Sequence, residues 1–436
     1  GVANTNWNST TPDVAVFGAA NGPAGTVTVS GSHVLGGLTF APVGSGEYTI
    51  SGGTLVLSNN PTIEVATNAT VASTLIGSGV GLVKTGPAVL TLSGGGISYS
   101  GPTRVDGGTL VLSNATAFAS AALTNPASTV SIYQGGLGAT VVTGMLSGAG
   151  TFVVDGPGGG SIYQNRVILR GNGSDNTGPV RVINAGKLWL DRPVNAIGDA
   201  SVVHIGSTNA SFSIYQGLAE TIGGLNGVGN VYGGDAAGIS ALTVGGGDAS
   251  ASYSGVIQNA SSTLALTKIG LGTQTLVGAS TYSGGTTVNG GVLALGGAND
   301  GLSRVGSGPL TINAGGTVLS VAFNVLGYDS STVTPVVVIN GGTWNAQGND
   351  ASFRTLTMNG GSLLRTGGFW FFNQAGAITV TGGAAVIAGG QMRLRPAGGV
   401  AMPITVSAGA TLSVSATLAN DAGVAGFAKA GPGTLV

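Results

Sequence analysis

Apolar and polar residues alternate along this chain in short runs, and pairs of small residues separate the runs. The segments ISGGTLVL (50–57), VNGGVLAL (288–295) and INAGGTVL (312–319) carry the pattern. Alternation places every second side chain on the same face of a strand. Asn-Gly and Gly-Gly pairs readily adopt the positive φ angles that tight corners require. The pattern therefore predicts many short strands joined by corners.

The small pairs recur at nearly constant spacing in the C-terminal third. The second residue of the pair falls, with steps of 25, 26, 19, 22 and 26, at Gly291, Gly316, Gly342, Gly361, Gly383 and, more loosely, Gly409. This step is shorter than a propeller blade of about 40–45 residues. One such unit cannot bury its apolar face alone, so successive units must stack as coils. With roughly 22 residues per coil, we expect an all-β, single-stranded parallel β-helix (β-solenoid) of roughly 20 turns.

The regularity of the repeat changes along the chain and suggests three regions. Residues 1–60 form the N-terminal start of the solenoid, and residues 61–265 form irregular turns with loop insertions. Residues 266–436 form regular turns. The final FAKAGPGTLV begins another copy of the repeat, so we expect the pattern to continue beyond Val436.

Composition excludes several classes of protein. Hydrophobic residues make up 42% of the chain, too many for a disordered segment. The net charge of −1 and the lack of a Lys/Arg run argue against nucleic acid as a partner. No run of 18 apolar residues occurs, so no transmembrane helix is expected. Without Cys there is no thiolate metal site, and we expect no cofactor and no metal.

Four asparagines occupy one position in four consecutive predicted coils: Asn289, Asn313, Asn340 and Asn359. In register they could form a ladder of side-chain hydrogen bonds. The alternative is that each one serves only its own turn. The sequence leaves both interpretations open.

An aromatic cluster stands out in GGFWFFNQ (367–374), which contains Phe369, Trp370, Phe371 and Phe372. Alternation sends two of these rings to each face of the strand, and a narrow solenoid buries one face. Exposed aromatic clusters often mark contacts. One interpretation is a surface for a partner or for self-assembly, with Trp370 and Phe372 as the residues whose replacement by Ser weakens association. The other is burial beneath a neighbouring segment.

Two segments share a longer motif, LVKTGPAVLTLSGGGISYSGPTRVDGGTLVL and LTKIGLGTQTLVGASTYSGGTTVNGGVLAL. The shared residues are Lys84, Gly86, Tyr99, Gly107 and Gly108 in the first copy, and Lys268, Gly270, Tyr282, Gly290 and Gly291 in the second. The motif resembles the passenger-associated repeat of bacterial autotransporters, also called the autotransporter-associated β-strand repeat. The resemblance implies a right-handed β-helix that is exported to the cell surface, and it implies no single activity.

The two repeat tyrosines, Tyr99 and Tyr282, have two interpretations. They could stack against sugar rings, or they could belong to the framework of the coil. Because they recur together with the repeat, a structural role is favoured.

Three functional hypotheses follow. The leading one is a secreted structural β-solenoid on the outer surface of a bacterium, forming a stalk, fibre or extracellular filament by end-to-end association with itself or other surface proteins. The alternative is an autotransporter adhesin whose side loops bind glycan or protein. The third is a polysaccharide-degrading β-helix, which needs closely spaced carboxylates. The acids are scattered, with Asp175 and Asp199 one coil apart, so we expect no enzymatic activity.

Overall fold

The computed structural model describes residues 7, 10–18, 22–113, 117–120, 122–136, 138–157, 161–191, 195–215, 217–327, 335–395, 401–420 and 426–436. Within these ranges the regular structure is β-strand, apart from one short 3-10 turn at Gly246–Asp248. No helix in the described ranges is long and apolar enough to cross a membrane. The prediction of an all-β fold is confirmed.

The chain divides into two units, residues 1–213 and 214–436. The division at residues 60 and 265 follows the regularity of the repeat and stays a prediction. The strands of the first unit are β1 (Asp13–Phe17), β2 (Thr26–Thr28), β3 (Ser32–Phe40), β4 (Tyr48–Ser51), β5 (Thr54–Val65), β6 (Ala69–Val71), β7 (Thr74–Gly77), β8 (Leu82–Thr85), β9 (Val89–Leu92), β10 (Ile97–Tyr99), β11 (Thr103–Val105), β12 (Thr109–Ser113), β13 (Ala117–Phe118), β14 (Ala122–Thr124), β15 (Thr129–Tyr133), β16 (Ala139–Val142), β17 (Met145–Ser147), β18 (Thr151–Asp155), β19 (Arg166–Leu169), β20 (Val180–Val182), β21 (Lys187–Leu190) and β22 (Val202–Ile205).

Strand β23 (Ser211–Ile214) lies at the division. The second unit contains β24 (Ala219–Ile222), β25 (Gly224–Gly227), β26 (Asn230–Gly233), β27 (Ile239–Val244), β28 (Ala251–Tyr253), β29 (Val256–Gln258), β30 (Thr263–Lys268), β31 (Thr273–Leu276), β32 (Thr286–Val288), β33 (Gly291–Leu295), β34 (Leu310–Asn313), β35 (Gly316–Ser320), β36 (Val337–Asn340), β37 (Thr343–Asn345), β38 (Ala351–Leu364), β39 (Phe369–Ala388), β40 (Gln391–Arg395), β41 (Met402–Val406), β42 (Thr411–Val414), β43 (Thr417–Asn420), β44 (Phe427–Ala430) and β45 (Thr434–Leu435).

Strands of successive coils pair in parallel and in register. Leu110 of β12 pairs with Leu90 of β9 on one side and with Val130 of β15 on the other. Gly291 pairs with Gly316, which is the 25-residue step read from the sequence. This is the arrangement of a parallel β-solenoid, and the prediction is confirmed, with about 18 turns in place of the roughly 20 expected.

Alternation along each strand fills the interior with aliphatic side chains. In β12 the buried positions are Leu110 and Leu112, while Thr109, Val111 and Ser113 face outward. Burying a side chain of this size is worth about 1.5–3 kcal/mol. Because each apolar residue lies above another in the next coil, every coil depends on its neighbours for its core.

The second unit presents separate outward faces built from distinct sets of strands. One face contains β30, β32, β34, β36, the middle of β38 and β39, β41 and β44. Another contains β31, β33, β35, β37 and β42 with the ends of β38 and β39. A third begins with the first residues of β38 and β39 and continues into β40 and β43.

Candidate functional site

The lysine of the first repeat joins two coils. Lys84 is fully buried, and its Nζ donates hydrogen bonds to the backbone carbonyls of Thr85 (3.2 Å), Gly86 (3.0 Å) and Gly107 (2.8 Å). Gly107 lies in the next coil along the chain. Because corner carbonyls point away from the strand ladder, they need such a donor. The amine therefore fastens the corner of one coil to the corner of the next, and we call this arrangement the lysine clamp.

The second repeat contains the same clamp. Lys268 is also fully buried, and its Nζ donates to the carbonyls of Ile269, Gly270 (3.2 Å) and Gly290 (3.3 Å). Burial lowers the pKa of Lys84 to about 8, and it lowers the pKa of Lys268, with Asp248 opposing the shift. At pH 7 the Lys84 amine therefore retains its proton and acts as a charged donor.

The glycine pair of the motif leaves room for this contact. Gly108 has φ of 63° and Gly291 has φ of 57°. A Cβ on Gly108 would lie 2.4 Å from the Ala88 carbonyl oxygen, and one on Gly291 would lie 2.4 Å from that of Gly270. No Cβ atom fits at 2.4 Å from a carbonyl oxygen, so the close approach of successive corners requires glycine at positions 108 and 291.

The repeat tyrosines lie inside the coil. Tyr99 and Tyr282 are buried, and their hydroxyls lie 2.8 and 2.5 Å from the hydroxyls of Thr103 and Thr286. Burial raises the pKa of both phenols. Neither ring is accessible to a ligand, which excludes the sugar-stacking interpretation for these two residues.

Three of the four asparagines are hydrogen-bonded to one another. Asn313 Nδ2 donates to Asn289 Oδ1 over 2.7 Å, and Asn340 Nδ2 donates to Asn313 Oδ1 over 3.2 Å. Asn359 follows Met358, which pairs with Ile339, so it holds the corresponding place in the next coil. Among the described residues, no bond joins Asn359 to Asn340, and its side chain is exposed.

The aromatic cluster is divided between the core and the surface. Trp370 and Phe372 are buried and pack in the core around Phe353, whose ring centroid lies 5.6 Å from that of Trp370 and 5.3 Å from that of Phe372. Of the two interpretations of the sequence, burial describes Trp370 and Phe372, and the partner interpretation does not hold for these two rings. Their register partners Met392 and Leu394 are buried as well.

The other two rings face outward next to an arginine. Phe369 and Phe371 are half-buried, with ring centroids 5.7 Å apart. The Arg393 guanidinium lies 3.6 Å from the centroid of Phe369, and its Nε donates to Gln391 Oε1 over 3.0 Å. We refer to Phe369, Phe371, Gln391 and Arg393 as the aromatic–arginine surface. Stacking on an aromatic face and the bond to Gln391 both restrict the motion of the guanidinium.

A buried arginine supports this surface from below. Arg365 stacks 4.5 Å from the Trp370 ring centroid, and its Nε donates to the Gly367 carbonyl over 2.5 Å. Asp350 Oδ1 lies 3.6 Å from Arg365 Nη2 and accepts a 2.7 Å hydrogen bond from the backbone N–H of Phe369. Burial lowers the pKa of Arg365 to about 10 despite Asp350. These contacts fix the start of β39, where the outward rings begin.

The two carboxylates that the sequence places one coil apart lie at the surface. Asp175 and Asp199 both have exposed side chains. Across the described part of the chain, no group of three His, Asp or Glu side chains is arranged to hold a metal ion.

The two segments that contain the lysine clamps match the model of a known family. Residues 82–112 and 266–295 match the model of the Passenger-associated-transport-repeat. The chain carries two passenger-associated-transport repeats. Each contains one lysine clamp, one buried tyrosine and one glycine pair.

A longer stretch is similar to a curated protein. The chain is 32% identical over 235 residues to "Adhesin BmaC autotransporter" of Brucella suis biovar 1 (strain 1330). The match covers 48% of this chain and 7% of that much longer protein. No solved structure matches the chain.

Proposed function

We propose that this chain is a surface-displayed bacterial β-solenoid that acts as a non-enzymatic adhesin. The two passenger-associated-transport repeats and the similarity to an autotransporter adhesin support exposure at the outer surface. The aromatic–arginine surface carries the proposal of adhesion, since it places two half-buried phenylalanines and an arginine side by side on one parallel sheet. In a chain with 7% charged and 6% aromatic residues, this local composition is unusual.

The chemistry of this surface suits a contact with a glycan or a protein. Aromatic residues and Arg are enriched where proteins make contacts, and they supply most of the binding energy there. Phe369 and Phe371 provide apolar area at low cost in conformational entropy, because a phenyl ring has two rotatable bonds. Arg393 is already held on Phe369, so less freedom is lost when a ligand binds.

The solenoid itself would act as the stalk that carries this surface. Within each unit, parallel backbone ladders and an aliphatic core resist bending and proteolysis because each inner coil is held by two neighbours. A stalk role is therefore part of the same proposal. End-to-end association into fibres stays a prediction from the sequence.

Adherence of the displayed chain tests the proposal. We expect F369S/F371S to reduce adherence to host cells, matrix-coated wells or a glycan array at least tenfold. The control is F323S, since Phe323 is 47% exposed in the same unit and lies outside the aromatic–arginine surface. F323S should adhere like the parent chain, and circular dichroism should confirm that both variants are folded. Unchanged adherence of folded F369S/F371S would reject this surface as the adhesive site.

A further inference from the structure

The Asn-Gly pairs of this chain differ in how firmly the structure holds them. Such pairs in the described ranges include those that begin at Asn172, Asn289, Asn340 and Asn359. In an Asn-Gly pair the backbone nitrogen of Gly can attack the side-chain Cγ of Asn, because glycine has no Cβ to obstruct the approach. The new C–N bond closes a succinimide ring, and the side-chain nitrogen leaves as ammonia with the amide proton of Gly. Water then opens the ring to aspartate or isoaspartate.

Two of these pairs are held by the row of bonded asparagines Asn289, Asn313 and Asn340, which we call the asparagine ladder. Asn340 Nδ2 donates to Asn313 Oδ1 over 3.2 Å, and Gly341 forms an antiparallel bridge with Asn313. Asn289 Oδ1 accepts a 2.7 Å bond from Asn313 Nδ2, and the second lysine clamp holds the Gly290 carbonyl at 3.3 Å. In both pairs, therefore, the side-chain amide and the glycine that follows it are fixed.

The pair at Asn359 lacks both restraints. Its side chain is exposed, and among the described residues it makes no hydrogen bond. The pairing of β38 with β39 shifts register on either side of Asn359 and goes from Asn359–Gly382 directly to Gly361–Ala385. Gly360 is passed over, and a residue passed over in a bulge has no partner in the ladder of backbone bonds. Strands β36 and β37, on the other side of β38, do not pair with Gly360 either.

We propose that Asn359 is a site of spontaneous deamidation, and that the asparagine ladder protects Asn289 and Asn340 from the same reaction. The reaction consumes only water and releases ammonia, so it needs no enzyme and no metal. The chain also contains an internal reference for an unrestrained pair. Asn172 is exposed in a bend of the first unit, and a Cβ on Gly173 would have no atom within 4 Å.

Deamidation changes the corner at which it occurs. A neutral amide becomes a carboxylate, and the isoaspartyl product adds one methylene to the main chain. The corner has no room for that methylene, because a Cβ on the neighbouring Gly361 would already lie 2.5 Å from the Gly342 carbonyl oxygen. An aged chain therefore carries a new negative charge and a loosened corner at this coil. This inference does not depend on the proposed adhesive function.

Peptide mass spectrometry of the folded chain, incubated in mildly alkaline buffer, tests the proposal. We expect Asn359 and Asn172 to deamidate about tenfold faster than Asn289 and Asn340, the effect of one or two hydrogen bonds on a rate. In concentrated urea the four asparagines should react at similar rates, because the restraints belong to the folded state. An isoaspartyl methyltransferase provides a second readout, since it labels the isoaspartate that forms at position 359.

Removal of the central asparagine tests the protection directly. N313A deletes both bonds of the asparagine ladder and leaves every Asn-Gly pair intact, so deamidation of Asn289 and Asn340 should accelerate about tenfold while Asn359 is unaffected.

The matched control is N299A, which deletes another bond between asparagines of the same unit, from Asn324 Nδ2 to Asn299 Oδ1 over 3.2 Å. N299A should leave the rates at Asn289, Asn340 and Asn359 unchanged, and urea unfolding midpoints would show that both variants are folded. The comparison within the parent chain decides by itself if N313A does not fold. The proposal is overturned if Asn359 of the folded parent reacts no faster than Asn289 and Asn340. It is also overturned if folded N313A leaves those two rates unchanged, or if N299A raises them equally.

Discussion

Replacing Trp370 by Ala should destabilise the second unit by about 3–5 kcal/mol. The indole is fully buried and packs edge-on against Trp344, with ring centroids 6.2 Å apart, and under the Arg365 guanidinium. Its loss leaves a cavity and removes the stacking partner of a buried charge. Urea unfolding followed by circular dichroism measures the change.

The outward neighbour on the same strand provides the control. Phe369 is half-buried and contacts Arg393, so F369A should cost about 1 kcal/mol. Equal destabilisation by the two variants would mean that the assignment of Trp370 to the core and Phe369 to the surface is wrong.

Replacing Lys84 by Met should destabilise the first unit by about 2 kcal/mol, because corner carbonyls lose their donor inside the protein. Met preserves most of the buried aliphatic chain, so the change in the free energy of unfolding reports the loss of the three hydrogen bonds that the amine donates. Lys268→Met should produce a similar loss in the second unit, since its clamp has the same geometry. Urea unfolding midpoints at pH 7 give both values.

Substitution of a nearby exposed arginine distinguishes loss of the clamp from a general effect of removing a positive charge. Arg104 lies on β11 with a side chain 54% exposed and an ion pair to Asp106. Such surface pairs contribute about 0–1 kcal/mol, so R104M should shift the midpoint little. If K84M unfolds at the same urea concentration as R104M, the clamp does not stabilise the corners.

The sequence was sufficient for the coil length and the parallel register because both follow from local patterns repeated many times. Gly291 and Gly316 mark the same corner 25 residues apart, and the structure pairs them. Each further copy of the pattern constrains the same spacing. A mistake in one coil therefore does not disturb the prediction for the others.

Which rings of the aromatic cluster point into the core can be decided only with information from the neighbouring coil. Alternation in FWFF separates the rings into two pairs but does not say which pair points inward. The next coil, QMRLR, resolves it, because its apolar Met392 and Leu394 pair with Trp370 and Phe372. Alignment of the two strands would have identified Phe369, Phe371 and Arg393 as the outward set.

The burial of Lys84 and Lys268 could not be read from the motif. An isolated Lys is normally exposed, and nothing local indicates otherwise. The carbonyls that receive the amine come together only after two corners stack, one of them 23 residues away in the first copy. The recurrence of Lys two residues before Gly in both repeats was the one available signal. It indicated that the position matters, but it did not indicate that the lysine is buried and bonds to corner carbonyls.

Stacking of successive coils in register is the claim on which the rest depends. The chain contains no Cys, so paired cysteines can test it directly. Thr287 and Thr311 pair in neighbouring coils, about 4.8 Å apart and within disulfide reach, whereas Thr267 and Thr311 are two coils and about 9.6 Å apart. Mild oxidation should crosslink T287C/T311C nearly completely within the monomer and leave T267C/T311C reduced. No crosslink in the first variant, or equal crosslinking in both, would contradict the parallel solenoid.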